Sequence, residues 1–389
     1  DEMLTPGEGQ IRAIVTVAGN PVLSSPNGRR LEEALGGLDF MVSVDYYLNE
    51  TTRHADIILP PTAALERSHY DLIFSMFAVR NVAKYSEALF DAGPDTRHDW
   101  QILLELAHRL EKIRKDGRLP LREELGWRAF KQIGPDPILD LLLRSGPYGA
   151  DAGRARGLLQ PAVDLVMDIL PKRHPLRGLA KLSPLNRSWE ELPKGLSLSA
   201  LKDNPNGVDL GPLKPSLPER LFTRDGKINL APRRYLDDLG RLHDALAAPT
   251  GESLQLIGRR HVRSNNSWMH NSQRLVKGKD RCTLMIHPRD ASRLGLQAAD
   301  SAEITSESRQ IVLPVEITED VMPGVVSIPH GWGHDRDGTG QSVAAAHAGA
   351  SINDVLSDGP IDPLSGTSVL NGQPVAVKVW RPERQRKRA

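Results

Sequence analysis

Residues 11–18, IRAIVTVA, are apolar and rich in β-branched side chains, and they run directly into Gly19-Asn20-Pro21. That order reads as a buried parallel strand halted by a turn. Asn27 is then placed to cap a helix over 28–35, which Gly36-Gly37 ends. A second strand over 40–44 stops at Asp45, and a third over 56–59 stops at Pro60-Pro61. Strand, helix, strand, loop, strand is the cadence of a parallel α/β sheet. Such sheets bind ligands beyond the carboxyl ends of their strands, where Gly19, Asn20, Pro21 and Asp45 fall. Further on, Trp100, Leu103, Leu104, Ala107, Leu110 and Ile113 share one helical face, with Asp95 or Thr96 as caps, and are expected to cover one side of the sheet.

Working outward, residues 115–224 alternate Pro, Gly and Arg with short Leu-rich pieces such as 164–170 and show no sustained period, so they read as a connector. After Gly251 the pattern turns to strands, at 253–257, 283–286, 302–305, 310–318, 325–329 and 374–380, with a short helix over 288–294 closed by Gly295. Many short strands around one helix suggest a compact barrel. The organisation expected is therefore an α/β domain over 1–114, a connector over 115–250, a barrel over 251–380 and a basic tail over 381–389.

The 389 residues carry 50 Lys and Arg against 49 Asp and Glu, so no global field draws the chain to nucleic acid or to an anionic membrane. The tail lacks the interleaved aromatic residues of a stacking surface. Its single cysteine, Cys282, cannot close an internal disulfide, fits a reducing cytoplasm, and cannot supply the four thiolates that hold an iron–sulfur cluster. Between a basic turn and a strand, Cys282 reads as a small core residue. No apolar run is long enough to span a bilayer; that over 137–143 is far too short. The opening at Asp1 leads us to expect further polypeptide before it.

Side chains able to do chemistry gather in three loops. The densest is 258–271, GRRHVRSNNSWMHN, directly after a strand: Gly258, Arg259, Arg260, Arg263, Ser264, Asn265, Asn266, Ser267, Trp268, His270 and Asn271. Arginines offer forked donors to pyrophosphate, amides and hydroxyls pair with heterocycle edges, and an indole covers a flat ring. Alone, such a loop reads as exposed polar surface. It gains weight from His330, Gly331, Trp332, Gly333 and His334, which follow the strand over 325–329, and from Asn353 and Asp354 in the stretch 349–354. The chain contains no GxGxxG, GxxxxGK[ST], HExxH or GxSxG. Asp335-Arg336-Asp337-Gly338 lacks the later acidic ligands of a calcium loop. His54, His69, His98, His108 and His174 show no metal-ligand spacing, and the sequons at Asn49 and Asn186 carry no message without an export signal.

Together, GNPVLSSPN and the ET..HADIILP core within 19–66, followed by LIGRRHVRSNNSWMHN, HPRDASRLGL, TEDVMPGVVSIPHGWGH and SINDVLSDGPIDPLSG within 256–380, resemble the C-terminal half of the molybdopterin oxidoreductases, the dimethyl sulfoxide reductase and formate dehydrogenase family. DGKINLAP at 225–232 fits the family's entry to its barrel. The resemblance implies a parallel-sheet dinucleotide-binding domain followed by a double-psi β-barrel, the molydopterin-dinucleotide-binding domain. It further implies a bis(molybdopterin guanine dinucleotide) cofactor carrying molybdenum or tungsten. Gly19, Asn20, Pro21 and Asp45 would meet the guanosine end, with Thr51 and Asp56 nearby. The 258–271 loop would hold pterin and phosphates, and His330 to Gly333 with Asn353 and Asp354 would close over the pterin. The family's four-iron four-sulfur cysteines and its metal ligand match nothing here, so no catalytic or metal-ligating residue is assigned. What the resemblance implies is a cytoplasmic oxidoreductase completed by an N-terminal portion or a separate subunit, with an electron-transfer partner protein and a small-molecule substrate, formate being the first guess. The competing reading is a scaffold subunit that keeps the fold without the cofactor.

Overall fold

The computed structural model describes residues 1–149, 195–215, 217–218, 221, 223–247, 253–307 and 309–382. The Leu-rich piece at 164–170, His174, Asn186 and all but the first two residues of the basic tail lie outside them. Contacts divide the chain into two compact units, Asp1–Pro60 with Ala231–Ala389, and Pro61–Leu230.

The first unit opens on β1 (Ala13–Val17), a single-turn helix α1 (Pro21–Ser24), α2 (Gly28–Gly36), β2 (Phe40–Val44) and β3 (Ile57–Ile58). The strands form one all-parallel sheet in the order β1-β2-β3, with Ala13 opposite Phe40 and Val42 opposite Ile57. Asn27 starts α2 as expected. Its left-handed backbone, φ 54°, lets the side chain accept from Arg30 N at 3.4 Å. Val22, Leu23, Leu35 and Met41 make the small core beneath this sheet.

The barrel follows as β4 (Leu254–Arg259), β5 (Leu284–Ile286), α3 (Pro288–Leu294), β6 (Ser301–Thr305), β7 (Gln310–Ile317), β8 (Val325–Pro329) and β9 (Gln373–Val379). Its six strands close in the order β6-β7-β5-β8-β4-β9. Two parallel pairs, β4 with β8 and β5 with β7, sit among antiparallel ones, and the fold is the double-psi barrel implied by the resemblance. Strand alternation sends one face inward: Leu256, Leu284, Ile286, Ile304 and Ile328 are fully buried in one core. Gly295 closes α3 at φ 69°, the left-handed cap that glycine adopts without a Cβ penalty.

The second unit differs more from expectation. The helix read over 100–113 spans Asp99–Arg114, but its N-cap is His98, whose amide donates to Gln101 Oε1 at 2.9 Å, so neither Asp95 nor Thr96 caps it. That helix belongs with the second unit, not with the β1–β3 sheet. Residues read as connector form two further helices, Leu121–Ile133 and Pro135–Ser145. The first of these buries no residue, although Leu121, Leu125, Ala129 and Ile133 recur four apart along it. Two short antiparallel ribbons, His69–Tyr70 with Tyr85–Ser86 and Arg80–Ala83 with Val208–Pro212, pack around Tyr85, Leu143, Leu201 and Leu210.

Candidate functional site

Both halves of the first unit end their strands in polar loops, and those loops meet. Asn20, at the N-terminal end of α1, donates to Glu50 Oε2 at 2.7 Å and to Ser267 Oγ of the barrel loop at 3.5 Å, and accepts from Thr51 Oγ1 at 2.7 Å. Thr51 Oγ1 also receives Val22 N at 3.1 Å, tying the turn after β1 to the loop after β2. Asn49 organises that second loop, its Oδ1 accepting the amides of Thr51 and Thr52 at 2.9 Å each. Buried in this way, Asn49 is a structural cap and its sequon is unavailable to a glycan.

From Glu50 a chain of buried groups enters the barrel loops. Glu50 Oε1 lies 2.8 Å from His334 Nδ1, and His334 Nε2 lies 2.8 Å from His270 Nδ1. The three residues are 0%, 1% and 2% exposed. Burial alone would raise the Glu50 carboxyl, but the bond and charge of His334 and the bond from Asn20 outweigh it, and the group titrates below its usual range. Burial, then the charge of His334, pushes His270 down to about 3, so its ring is neutral. The Trp332 indole packs on that ring with centroids 4.0 Å apart, and His270 Nε2 is buried without a hydrogen-bond partner.

The remaining expected residues divide by what they touch. Arg259 turns back into the barrel, bonding the carbonyls of Ser327 at 2.5 Å and Thr283 at 2.8 Å, so its guanidinium is spent on protein. Arg260 and Arg263 are exposed, the former bonded to Asn266 Oδ1. Asn265 and Asn266 hold left-handed backbones, φ 38° and 60°, in a tight turn, and Ser264 bonds His261 O at 2.9 Å. Trp268 is 44% exposed. Asn271 Oδ1 accepts the amides of Val343 and Ala344, and Gly258 N donates to Asn371. Asp56 accepts Met41 N at 2.7 Å, and Asp45 bonds Tyr47 N at 3.0 Å and Asn49 at 3.3 Å. Burial raises the Asp45 carboxyl. Asn353 donates to Leu23 O at 2.7 Å, and Asp354 receives Arg336 through both oxygens at 2.8 Å. His330 continues β8 by donating its amide to Arg259 O at 2.9 Å.

Of the residues singled out in the sequence, the structure brings Asn20, Thr51, Ser267, His270 and Trp332 into one connected network; Glu50, His334 as a partner and Arg336 were passed over. Beside Trp332 opens a cavity of about 300 Å³ lined also by Val276, Lys279, Arg281, His347 and Gly349. Its wall mixes the cationic Lys279 and Arg281 with the acidic Asp280 and one face of the Trp332 indole. Among the described residues no cluster of His, Cys, Asp and Glu could hold a metal ion.

Comparison with known proteins agrees with this geometry. The Molybdopterin oxidoreductase family profile matches residues 2–109 and the Molydopterin dinucleotide binding domain profile matches residues 254–374. The dimethyl sulfoxide/trimethylamine N-oxide reductase of Rhodobacter capsulatus is 27% identical over 91% of this chain and 38% of its own length. A putative formate dehydrogenase of Bacillus subtilis (strain 168) is 35% identical over 26% of this chain and 10% of its own. Acetylene hydratase from Pelobacter acetylenicus superposes with a TM-score of 0.55 at 18% identity, over 97% of this chain and 46% of that one, which speaks to fold alone. The chain thus spans less than half the length of these relatives. With its parallel sheet and closed barrel matched by the two profiles in order, the chain belongs to the molybdopterin oxidoreductase family.

Proposed function

We propose that this chain binds one dinucleotide arm of a bis(molybdopterin guanine dinucleotide) cofactor carrying molybdenum or tungsten, as part of a cytoplasmic oxidoreductase whose metal ligand and iron–sulfur cluster lie on further polypeptide. The observation that carries the reading is the meeting of Asn20, Glu50 and Thr51 with Ser267, His270 and His334, which joins the turn after β1 to two barrel loops. When bound, the metal–pterin group supplies oxygen-atom or hydride-equivalent transfer and passes electrons onward. The chain's part is to hold and orient it.

Arg260 and Arg263, exposed at the tip of the 258–271 loop, would meet the phosphates. Trp332 would cover a ring from the barrel side, and Gly19 to Pro21 with Asp45 would take the guanosine end. Asn353 and Asp354 serve through the loop they fix, anchoring α1 and Arg336. Of the relatives matched along most of the chain, three bear S-oxide or N-oxide reductase names and one an NADPH-Fe(3+) oxidoreductase name, whereas the formate dehydrogenase matches about a quarter. An oxide substrate therefore has more support than the formate first guessed. An electron-transfer partner completes the reading.

The test is to purify the complete protein from a molybdate- or tungstate-supplied host, with any companion subunit. Metal per chain is then measured by mass spectrometry, and GMP and fluorescent oxidised pterin after acid and iodine treatment. Metal, pterin and GMP in constant ratio are expected. A folded complex carrying none of the three supports the scaffold reading and overturns this one.

A further inference from the structure

Strand β1 is a sheet edge. The order is β1-β2-β3, and among the described residues no strand pairs with the far side of β1. Arg12 O accepts Asp39 N at 2.8 Å and Ala18 N donates to Val44 O at 3.0 Å, so the even-numbered residues turn their backbone groups toward β2. By the two-residue repeat of a strand, the amides and carbonyls of Ala13, Val15 and Val17 point the other way. An unpaired edge invites another strand, and proteins blunt the edges they leave exposed with charge, proline or a bulge. AIVTV carries no charge or proline, and its register with β2 is unbroken. The same strand also leaves a face open. Val15, Val17, Phe40 and Ile57 share that face and are each between 44% and 54% exposed. All-parallel sheets are covered on both faces, yet the core of Val22, Leu23, Leu35 and Met41 takes in Ile14 and so lies on the other one.

Connection rules say what fits there. Right-handed crossovers from β1 through β2 to β3 keep their helices on one face of the sheet. In a doubly wound sheet the opposite face is covered by the helices of strands on the far side of the first, where the strand order reverses. A strand parallel to β1 on its free side, with its own crossover helix, pairs the edge and covers the face together. It also sets Gly19-Asn20-Pro21 at that reversal, where such sheets open a ligand crevice. Pairing with the β1 of a second copy would extend the sheet but bring no helix over the open face. The further polypeptide has a source, since this chain spans 38% of the Rhodobacter capsulatus reductase and 46% of acetylene hydratase. We propose that the free edge of β1 and the face of Val15, Val17, Phe40 and Ile57 are the docking surface for that further polypeptide, which adds a parallel strand beside β1 and a helix over the face. This rests on the further polypeptide of the cofactor reading above and says where it attaches.

The test is hydrogen–deuterium exchange on the complete protein, with any companion subunit, read amide by amide by mass spectrometry with electron-transfer fragmentation. The Val15 and Val17 amides, which point away from β2, are expected to exchange as slowly as those of Ile14 and Thr16, at every dilution. Val15→Lys should make both fast and lower the thermal midpoint, because it drives a charge under the added helix. On a solvent face the same change would leave the midpoint unmoved, and that result overturns the proposal. Fast exchange at Val15 and Val17 in wild type overturns it as well, whether or not the variant folds. Slow exchange that appears only as this chain dimerises assigns the edge to a second copy and also overturns it. Slow exchange in a monomeric protein that never carries metal, pterin or GMP keeps the docking surface and overturns the cofactor reading instead.

Discussion

Gly331 sits at φ +90°, and a methyl group on it would lie 2.0 Å from Asn266 O. The two loops that carry His270 and Trp332 are therefore in backbone contact, and only a residue without Cβ permits it. Gly331→Ala is expected to cost at least the ~1–2 kcal/mol of a left-handed L-residue. Displacement of the Asn266 loop adds to that. A lowered urea midpoint with unchanged slope checks it, and an unaltered midpoint would show that the turn relaxes freely. The same close fit explains Cys282. Its thiol is 1% exposed, and a Cβ on Gly349 would fall 2.6 Å from its Sγ. Burial pushes the thiol up to about 12, so it remains neutral and inert, as its place between turn and strand suggested. Neighbour chemistry at this scale was legible for Cys282 and hidden for Gly331, whose constraint comes from a loop over sixty residues earlier.

Elements were legible wherever burial imposed a period. β2, β8 and α3 have the boundaries expected: the two strands are nearly continuous buried runs that stop at Asp45 and at His330-Gly331, and α3 runs from Pro288 to the Gly295 cap. The helix Leu121–Ile133 carries Leu121, Leu125, Ala129 and Ile133 four apart, but Gly126 within it and the flanking Pro and Gly residues masked that repeat, and Leu121, Leu125 and Phe130 are all more than half exposed. Its neighbour begins at Pro135 and carries Pro137 in its first turn, residues that read as breakers in sequence yet are favoured at a helix start. The barrel strands stand at the other extreme. Ile304 in β6 is fully buried, paired with Ile311 on one side and Val377 on the other. Ile304→Ala should cost about 2–5 kcal/mol, since a closed barrel cannot easily collapse around the cavity. Equilibrium unfolding measures it; a loss near zero would mean that the barrel interior is loosely filled.

Within the first unit, much of the contact between the α/β sheet and the barrel is made by polar side chains. Besides the Glu50–His334 pair, Arg336 reaches Glu32 of α2 at 3.3 Å, Arg29 reaches Asp354 at 3.5 Å, and Asn353 donates to Leu23 O at 2.7 Å. Some of the residues that join these loops, Asn20, Ser267, His270, Asn353 and Asp354, stood out in the sequence, but Glu50 and Arg336 did not. Glu50 was hidden in a sequon, and Arg336 in a stretch dismissed as a failed calcium loop. Pairing between residues nearly three hundred positions apart has no local period to betray it. Such a seam should be labile to acid, and the sign follows from its own groups. His270 titrates at about 3 when folded and 6.5 in an ordinary setting, so the unfolded chain takes up a proton throughout that window and the folded chain does not. Stability from this residue is fully present above pH 6.5 and falls as pH drops toward 3, at a slope approaching 1.4 kcal/mol per pH unit for one linked proton. The lowered carboxyl of Glu50 adds loss in the same direction below its ordinary value of 4.5. His270→Asn removes one of these terms. Urea unfolding of wild type and H270N at steps from pH 7 to pH 4 should therefore converge, the variant less stable at neutral pH but losing about one proton's worth less slope. Parallel curves would show that His270 is as free to ionise in the folded chain as in the unfolded one.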